Sequence, residues 1–210
     1  MIILKTVLIG VYSYLVGSLN CSVLISRLKM KKDVRDSGSG NAGATNMLRT
    51  FGTKWGVITM LGDFFKTLLA LIVTYLLFRD REYWQAMVAF SGFCCAMGHV
   101  FPIYFGFHGG KAVTVVAMTY FVIDWRCFAV AVSIFILVVI LTRYVSLGSI
   151  VGGLSGPVTM FFIGRKYAPN QWFVVICLSA LALMLVFLHH ENINRLINGK
   201  ERKITFKKSE

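Results

Sequence analysis

Acidic residues are scarce in this 210-residue chain: nine Asp and Glu stand against 22 Lys and Arg, and charged residues of all kinds make up only 15%. So little charge excludes an ordinary solvated domain surface. The five cysteines (Cys21, Cys94, Cys95, Cys127, Cys177) form no CxxC pair and lie almost entirely in apolar runs, so they read as small buried hydrophobes rather than disulfides or zinc ligands. Around His189, His190 and Glu191 there is no HxxxH or His-Glu set at ligand spacing, and no metal site is expected. Lys111 follows Gly109 and Gly110 but precedes Ala112, which departs from GxxxxGK[ST] and excludes a nucleotide P-loop while leaving a phosphate-binding lysine open. No internal repeat of the kind that builds transporters is visible.

What is abundant is apolar. Hydrophobic residues reach 57% and mean hydropathy +0.71, which is the composition of a membrane protein. A helix crosses the hydrocarbon with about 20 apolar residues. By that measure the chain is an all-α integral membrane protein, one domain over residues 1–210, with about seven transmembrane helices near 2–28, 55–78, 83–107, 112–123, 128–141, 147–163 and 172–188. The fourth and fifth are short and separated only by Asp124, Trp125 and Arg126. The first lacks a small-residue cleavage site, so it reads as a span rather than a signal peptide.

The basic residues are confined to breaks between apolar runs, which fits contact with anionic lipid headgroups and not with nucleic acid. Sorted by side, 15 Lys and Arg fall in the first, third and fifth loops and the tail, Lys207 and Lys208 included. Six fall opposite, among them Arg165 and Lys166. The positive-inside rule then puts the N-terminus outside and the C-terminus in the cytoplasm.

The longest polar stretch, residues 33–52 (DVRDSGSGNAGATNMLRTFG), has the composition of an anion site. Small residues allow close backbone approach, successive N–H groups form a nest, and Arg35 and Arg49 supply fixed positive charge. Its bland alternative is a flexible Gly/Ser linker. Residues 98–111, the turn 146–149 (SLGS) and the tail from His189 are expected on the same face, so four polar segments converge on one site. Asp63 and Lys66 sit one helical turn apart inside the second span, either as a functional pair or as an ion pair that holds helices together. His99 is either a working imidazole or one satisfied by backbone.

Two enzyme signatures are missing. No GxSxG elbow occurs. Nor does a His-x4-Asp pair of the kind used with soluble or CoA-borne acyl groups: Tyr104, Val113, Asn194 and Arg195 stand five residues after His99, His108, His189 and His190.

Residues 33–52, then GDFFK, GHVFPIYFGFHGGK, SLGSI and HHENINRLINGKE, taken in that order, resemble the bacterial acyl-phosphate:glycerol-3-phosphate acyltransferase family (PlsY). The resemblance implies a seven-helix enzyme of the bacterial inner membrane, its site facing the cytoplasm, that moves an acyl chain from acyl phosphate to the 1-hydroxyl of glycerol 3-phosphate. No cofactor is implied, and functional coupling to an enzyme that forms acyl phosphate is. Matched residue by residue, Ser39, Asn41, Thr45, Asn46 and Arg49 belong to the first motif, Lys111 to GGK, and Ser149 to the short turn motif. His189, Asn192, Arg195 and Glu201 match the C-terminal motif. Ser39, Arg49, Lys111 and Ser149 are then expected as phosphate and oxyanion donors, with Asn192 and His189 orienting glycerol 3-phosphate. The proton acceptor is His99, His189 or the donor's own phosphate. The family's usual FKGGKG reads FHGGKA here, so His108 and Ala112 replace lysine and glycine. Thr67 stands where glycine commonly follows Lys66, and Leu188 and His190 replace common arginines. The rival readings are an organic-anion transporter, which the missing repeat disfavours, and a catalytically silent member.

Overall fold

A computed structural model describes residues 2–164 and 170–204; Arg165, Lys166, Lys207 and Lys208, counted above, lie outside the described residues. Those described residues are helical apart from turns and loops. In chain order the helices are α1 (Ile2–Gly17), α2 (Cys21–Met30), α3 (Ala44–Phe51), α4 (Thr53–Phe78), α5 (Trp84–Val100), α6 (Val113–Ile123), α7 (Trp125–Thr142), α8 (Val145–Ile163), α9 (Gln171–Leu188) and α10 (His190–Ile197).

Six helical stretches are long and apolar enough to cross a membrane, against about seven expected. The difference is α6, whose 11 residues span only about 16 Å. It is among the most buried elements, with Val115, Met118 and Tyr120 almost wholly enclosed and the Tyr120 hydroxyl donating to the Gly153 carbonyl at 2.6 Å. A short helix packed inside longer ones opens its first turn within the bundle, which leaves a recess at one end. Large apolar side chains on α1, α4, α7 and α9 face outward, as helices solvated by lipid require.

The first expected span is not one helix. It breaks at residues 18–20, where Asn20 caps α2 by accepting the Val23 N–H at 3.1 Å. The carbonyls orphaned at the end of α1 are taken by a side chain from α4: Lys66 Nζ donates to the Gly17 oxygen at 3.0 Å and the Leu19 oxygen at 2.8 Å. With α1 and α2 taken as one crossing, the α2–α3 and α5–α6 loops, the α7–α8 turn and α10 meet at one end, where their residues line a common recess.

Candidate active site

At that end lies a cavity of about 560 Å³, lined from all four polar segments. The N-termini of α3, α6, α8 and α10 all open onto it, and none is capped by a side chain. The first turn of any helix leaves N–H groups without intrahelical partners and carries about half a positive charge. Four such ends around one recess make it a place for anions.

The loop before α3 is folded by its own polar groups. Asp33 caps a 3-10 turn at Val34–Asp36. Gly38 and Gly40 adopt φ of 66° and 71°, and a Cβ at Gly38 would drive into the Asn46 amide. Buried Asn46 staples the loop. Its Oδ1 accepts the Ser39 N–H at 2.9 Å, and its Nδ2 donates to the carbonyls of Val34, Ser37 and Asn41, each at 3.0 Å. With its amide spent in this way, Asn46 shapes the cradle while its neighbours supply the free groups. Ser39 Oγ, the Asn41 amide, the Thr45 hydroxyl and the Arg49 guanidinium line the cavity without a side-chain hydrogen bond or ion pair among the described residues.

Across the cavity the side chains form a chain of donors. Lys111 Nζ donates to Asn192 Oδ1. Asn192 Nδ2 donates to Glu201 Oε1 at 2.7 Å, Ser146 Oγ donates to the same oxygen at 2.8 Å, and Arg195 Nε donates to Glu201 Oε2 at 2.8 Å. Burial alone would raise the Glu201 pKa, but these three donors together hold it below the usual carboxylate range. Glu201 thus orders Asn192, Arg195 and Ser146 rather than offering free oxygens. The tail that carries it is tied down at Ile204, whose N–H donates to the Arg143 carbonyl at 2.9 Å. Burial, followed by the Arg195 charge, lowers the Lys111 pKa, and burial lowers that of Arg49. Both are cations short of negative charge.

His189 is 3% exposed, and its Nδ1 lies 2.7 Å from the Leu185 carbonyl. A carbonyl can only accept, so the proton sits on Nδ1 and Nε2 keeps its lone pair. Burial first, then the Lys111 charge, pushes its pKa down to about 4. His99 is different. Its Nδ1 is 2.9 Å from Lys66 Nζ, and since an ammonium can only donate, its proton is on Nε2. Lys66 also lies 2.9 Å from Asp63 Oδ1, with His99 Nδ1 3.7 Å from that oxygen. The Lys66–Asp63–His99 cluster forms the wall of the cavity nearest the α1–α2 break, with Asp63 and His99 reaching the lining and Lys66 behind them.

Every expected site residue except Lys66 and Arg35 therefore lines one cavity. Ser149 is there too, with its hydroxyl hydrogen given to the Val145 carbonyl at 2.9 Å, so it presents lone pairs. One residue escaped the sequence reading and another was read in the wrong role. Ser146 reaches Glu201, and only its place in the SLGS turn could have signalled it. Arg35, read as a phosphate ligand, is absent from the lining because its guanidinium is consumed elsewhere.

The family model described as glycerol-3-phosphate acyltransferase matches residues 7–199. A glycerol-3-phosphate acyltransferase of Finegoldia magna is 36% identical over 201 residues, covering 96% of this chain and 97% of that protein. Two crystal structures of PlsY, an integral membrane glycerol 3-phosphate acyltransferase, are also similar. The glycerol 3-phosphate form has a TM-score of 0.85 at 31% identity, and the lysophosphatidic acid form 0.82 at 29%; each comparison covers 96% of both chains.

Proposed function

Because the chain belongs to the glycerol-3-phosphate acyltransferase family, we propose that it transfers an acyl chain from acyl phosphate to the 1-hydroxyl of glycerol 3-phosphate, releasing lysophosphatidic acid and inorganic phosphate. It is a multi-pass membrane enzyme of phospholipid synthesis. The observation that carries the choice of donor is the set of uncommitted groups, Ser39, Asn41, Thr45 and Arg49, facing Lys111 across a recess ringed by helix N-termini. Such a site suits two phosphates at once. An acyl phosphate is already activated, so holding the hydroxyl against the carbonyl and stabilising charge supplies most of the rate.

In this reading Ser39, Asn41 and Thr45 hold the donor phosphate, while Arg49 and Lys111 neutralise the charge that grows on it. Asn192 and Arg195, set by Glu201, hold the glycerol phosphate. The O1–carbonyl bond forms, the carbonyl–phosphate bond breaks, and the electron pair leaves with phosphate. A base with a pKa of about 4 takes an alcohol proton poorly. His189 Nε2 therefore accepts a hydrogen bond that aims the 1-hydroxyl, and the proton ends on the departing phosphate. His99 and the Asp63–Lys66 pair position the wall. With α6 counted as a short seventh crossing, the excess of Lys and Arg in the loops at the site end supports an N-terminus outside and a site facing the cytoplasm of a bacterial inner membrane, where an enzyme that forms acyl phosphate would supply the donor.

Purified protein given labelled glycerol 3-phosphate is expected to make lysophosphatidate with acyl phosphate and none with acyl-CoA; product from acyl-CoA alone would overturn the choice of donor. The role of His189 is tested by pH. Its ionisation lies near 4, so the wild-type and His189→Gln profiles of kcat superimpose after scaling between pH 5 and 8. An acid limb near 6.5 in the wild type alone would contradict this.

A further inference from the structure

We propose that Arg35 is a positioning residue that bolts the loop carrying Lys111 to the loop carrying Ser39; this rests on the reading of Lys111 given above. The guanidinium is planar and its donors form a fixed fork. One edge engages Asp33, Nε to Oδ1 at 3.0 Å and NH2 to Oδ2 at 2.8 Å. The remaining nitrogen, NH1, crosses to the α5–α6 loop and donates to the Phe105 carbonyl at 2.7 Å and the His108 carbonyl at 3.0 Å. Four of the five N–H groups are thereby engaged within the protein, which leaves one N–H of NH2 and no fork for a phosphate.

Asp33 is itself held. It accepts the Arg35 backbone N–H at 3.0 Å and Arg27 Nε at 3.0 Å, and hydrogen bonding from Arg35 keeps its pKa at about 2. The bolt is therefore charged at every pH at which the enzyme works. Elsewhere the loop is held by the Gly109 and Gly110 N–H groups, which donate to the carbonyls of Val100 and His99 at 3.0 and 3.1 Å, and at its start by the Tyr14 hydroxyl, which donates to the Phe101 carbonyl at 2.9 Å. Arg35 supplies the side-chain contacts that fix His108, three residues before Lys111. Where Lys111 must meet both Asn192 and a phosphate, slack in this loop lowers substrate affinity.

The test uses the full chain in detergent, comparing steady-state kinetics, thermal unfolding and hydrogen exchange of residues 105–112 in the wild type, Arg35→Ala, Arg35→Lys, Asp33→Asn and Lys111→Ala. Arg35→Ala is expected to raise KM about tenfold, as loss of a charged hydrogen bond does, and to speed exchange in 105–112. Arg35→Lys gives no rescue, because one ammonium cannot serve the carboxylate and both carbonyls. Asp33→Asn moves both readouts the same way by less, and it carries the test if Arg35→Ala does not fold. Unchanged exchange in 105–112, or a fall in kcat that tracks lost folded protein at constant KM, would overturn the proposal. Wild-type kinetics in Lys111→Ala would instead overturn the reading of Lys111 beneath it.

Discussion

Arg49→Ala is expected to lower kcat/KM by about 10²–10³-fold, the usual loss for one donor to transition-state charge, while leaving thermal unfolding in detergent where it is in the wild type. Both halves follow from one observation. Among the described residues no hydrogen bond or ion pair engages the Arg49 guanidinium, so the folded protein loses no internal hydrogen bond or ion pair when it is removed. What is lost is a planar cation on the wall of an anion cavity. Arg49→Lys restores charge without the fork and should recover only part of the rate. Arg195→Ala makes the contrast. Its guanidinium is the ion-pair partner of buried Glu201, so that variant should lose stability along with activity. Steady-state kinetics and thermal unfolding of the three variants separate the roles. A drop in melting temperature in Arg49→Ala as large as that in Arg195→Ala would show that Arg49 belongs to the frame.

Lys66→Met is expected to destabilise the protein by about 3–5 kcal/mol, enough to move the unfolding temperature by roughly 6–20 °C or to prevent accumulation of folded protein. The ammonium donates to the Gly17 and Leu19 carbonyls and to His99 and pairs with Asp63, and the Lys66 side chain is itself almost wholly buried. Methionine fills the space and leaves the two carbonyls and the imidazole without that donor and Asp63 without its counter-charge. Asp63→Asn should cost much less, because Lys66 keeps its two carbonyls and its imidazole. The asymmetry is what matters: a pair that only neutralised itself would suffer about equally from losing either member. Equal shifts in unfolding temperature for the two variants would contradict the role of Lys66 as the fastening of the α1–α2 break.

That asymmetry also marks where sequence reading stops. The Asp63–Lys66 spacing made the ion pair legible, since residues three apart on a helix are neighbours. Nothing local could show that the same lysine caps the end of α1, because Gly17 and Leu19 lie far away in the chain. For the same reason residues 2–28 read as one span: apolar composition runs straight across a break that a distant cation stabilises. Convergence of the polar segments was legible, because alternating helices force alternate loops to one end. The depth of the recess was not, since it depends on how α6 packs. Within the site, residue type pointed to phosphate but could not apportion the donors. Arg35 and Arg49 look alike in sequence; in the fold one is consumed by Asp33 and two carbonyls and the other is free. Asn41 and Asn46 divide in the same way: both line the cavity, but the Asn41 amide is uncommitted and that of Asn46 is spent as a staple. The N-termini of α3, α6, α8 and α10 carry no residue signature at all, being backbone, yet they supply much of the cavity's positive potential.

On the function proposed above, this cavity brings an acyl phosphate and glycerol 3-phosphate together and joins them. Phosphorus-31 NMR follows all four species in one tube as purified protein acts on the two substrates. Equimolar loss of acyl phosphate and glycerol 3-phosphate is expected, matched by gain of 1-acyl lysophosphatidate and inorganic phosphate, with the reaction abolished in Lys111→Ala. Release of inorganic phosphate without lysophosphatidate, or lysophosphatidate formed at the same rate by Lys111→Ala, would contradict it.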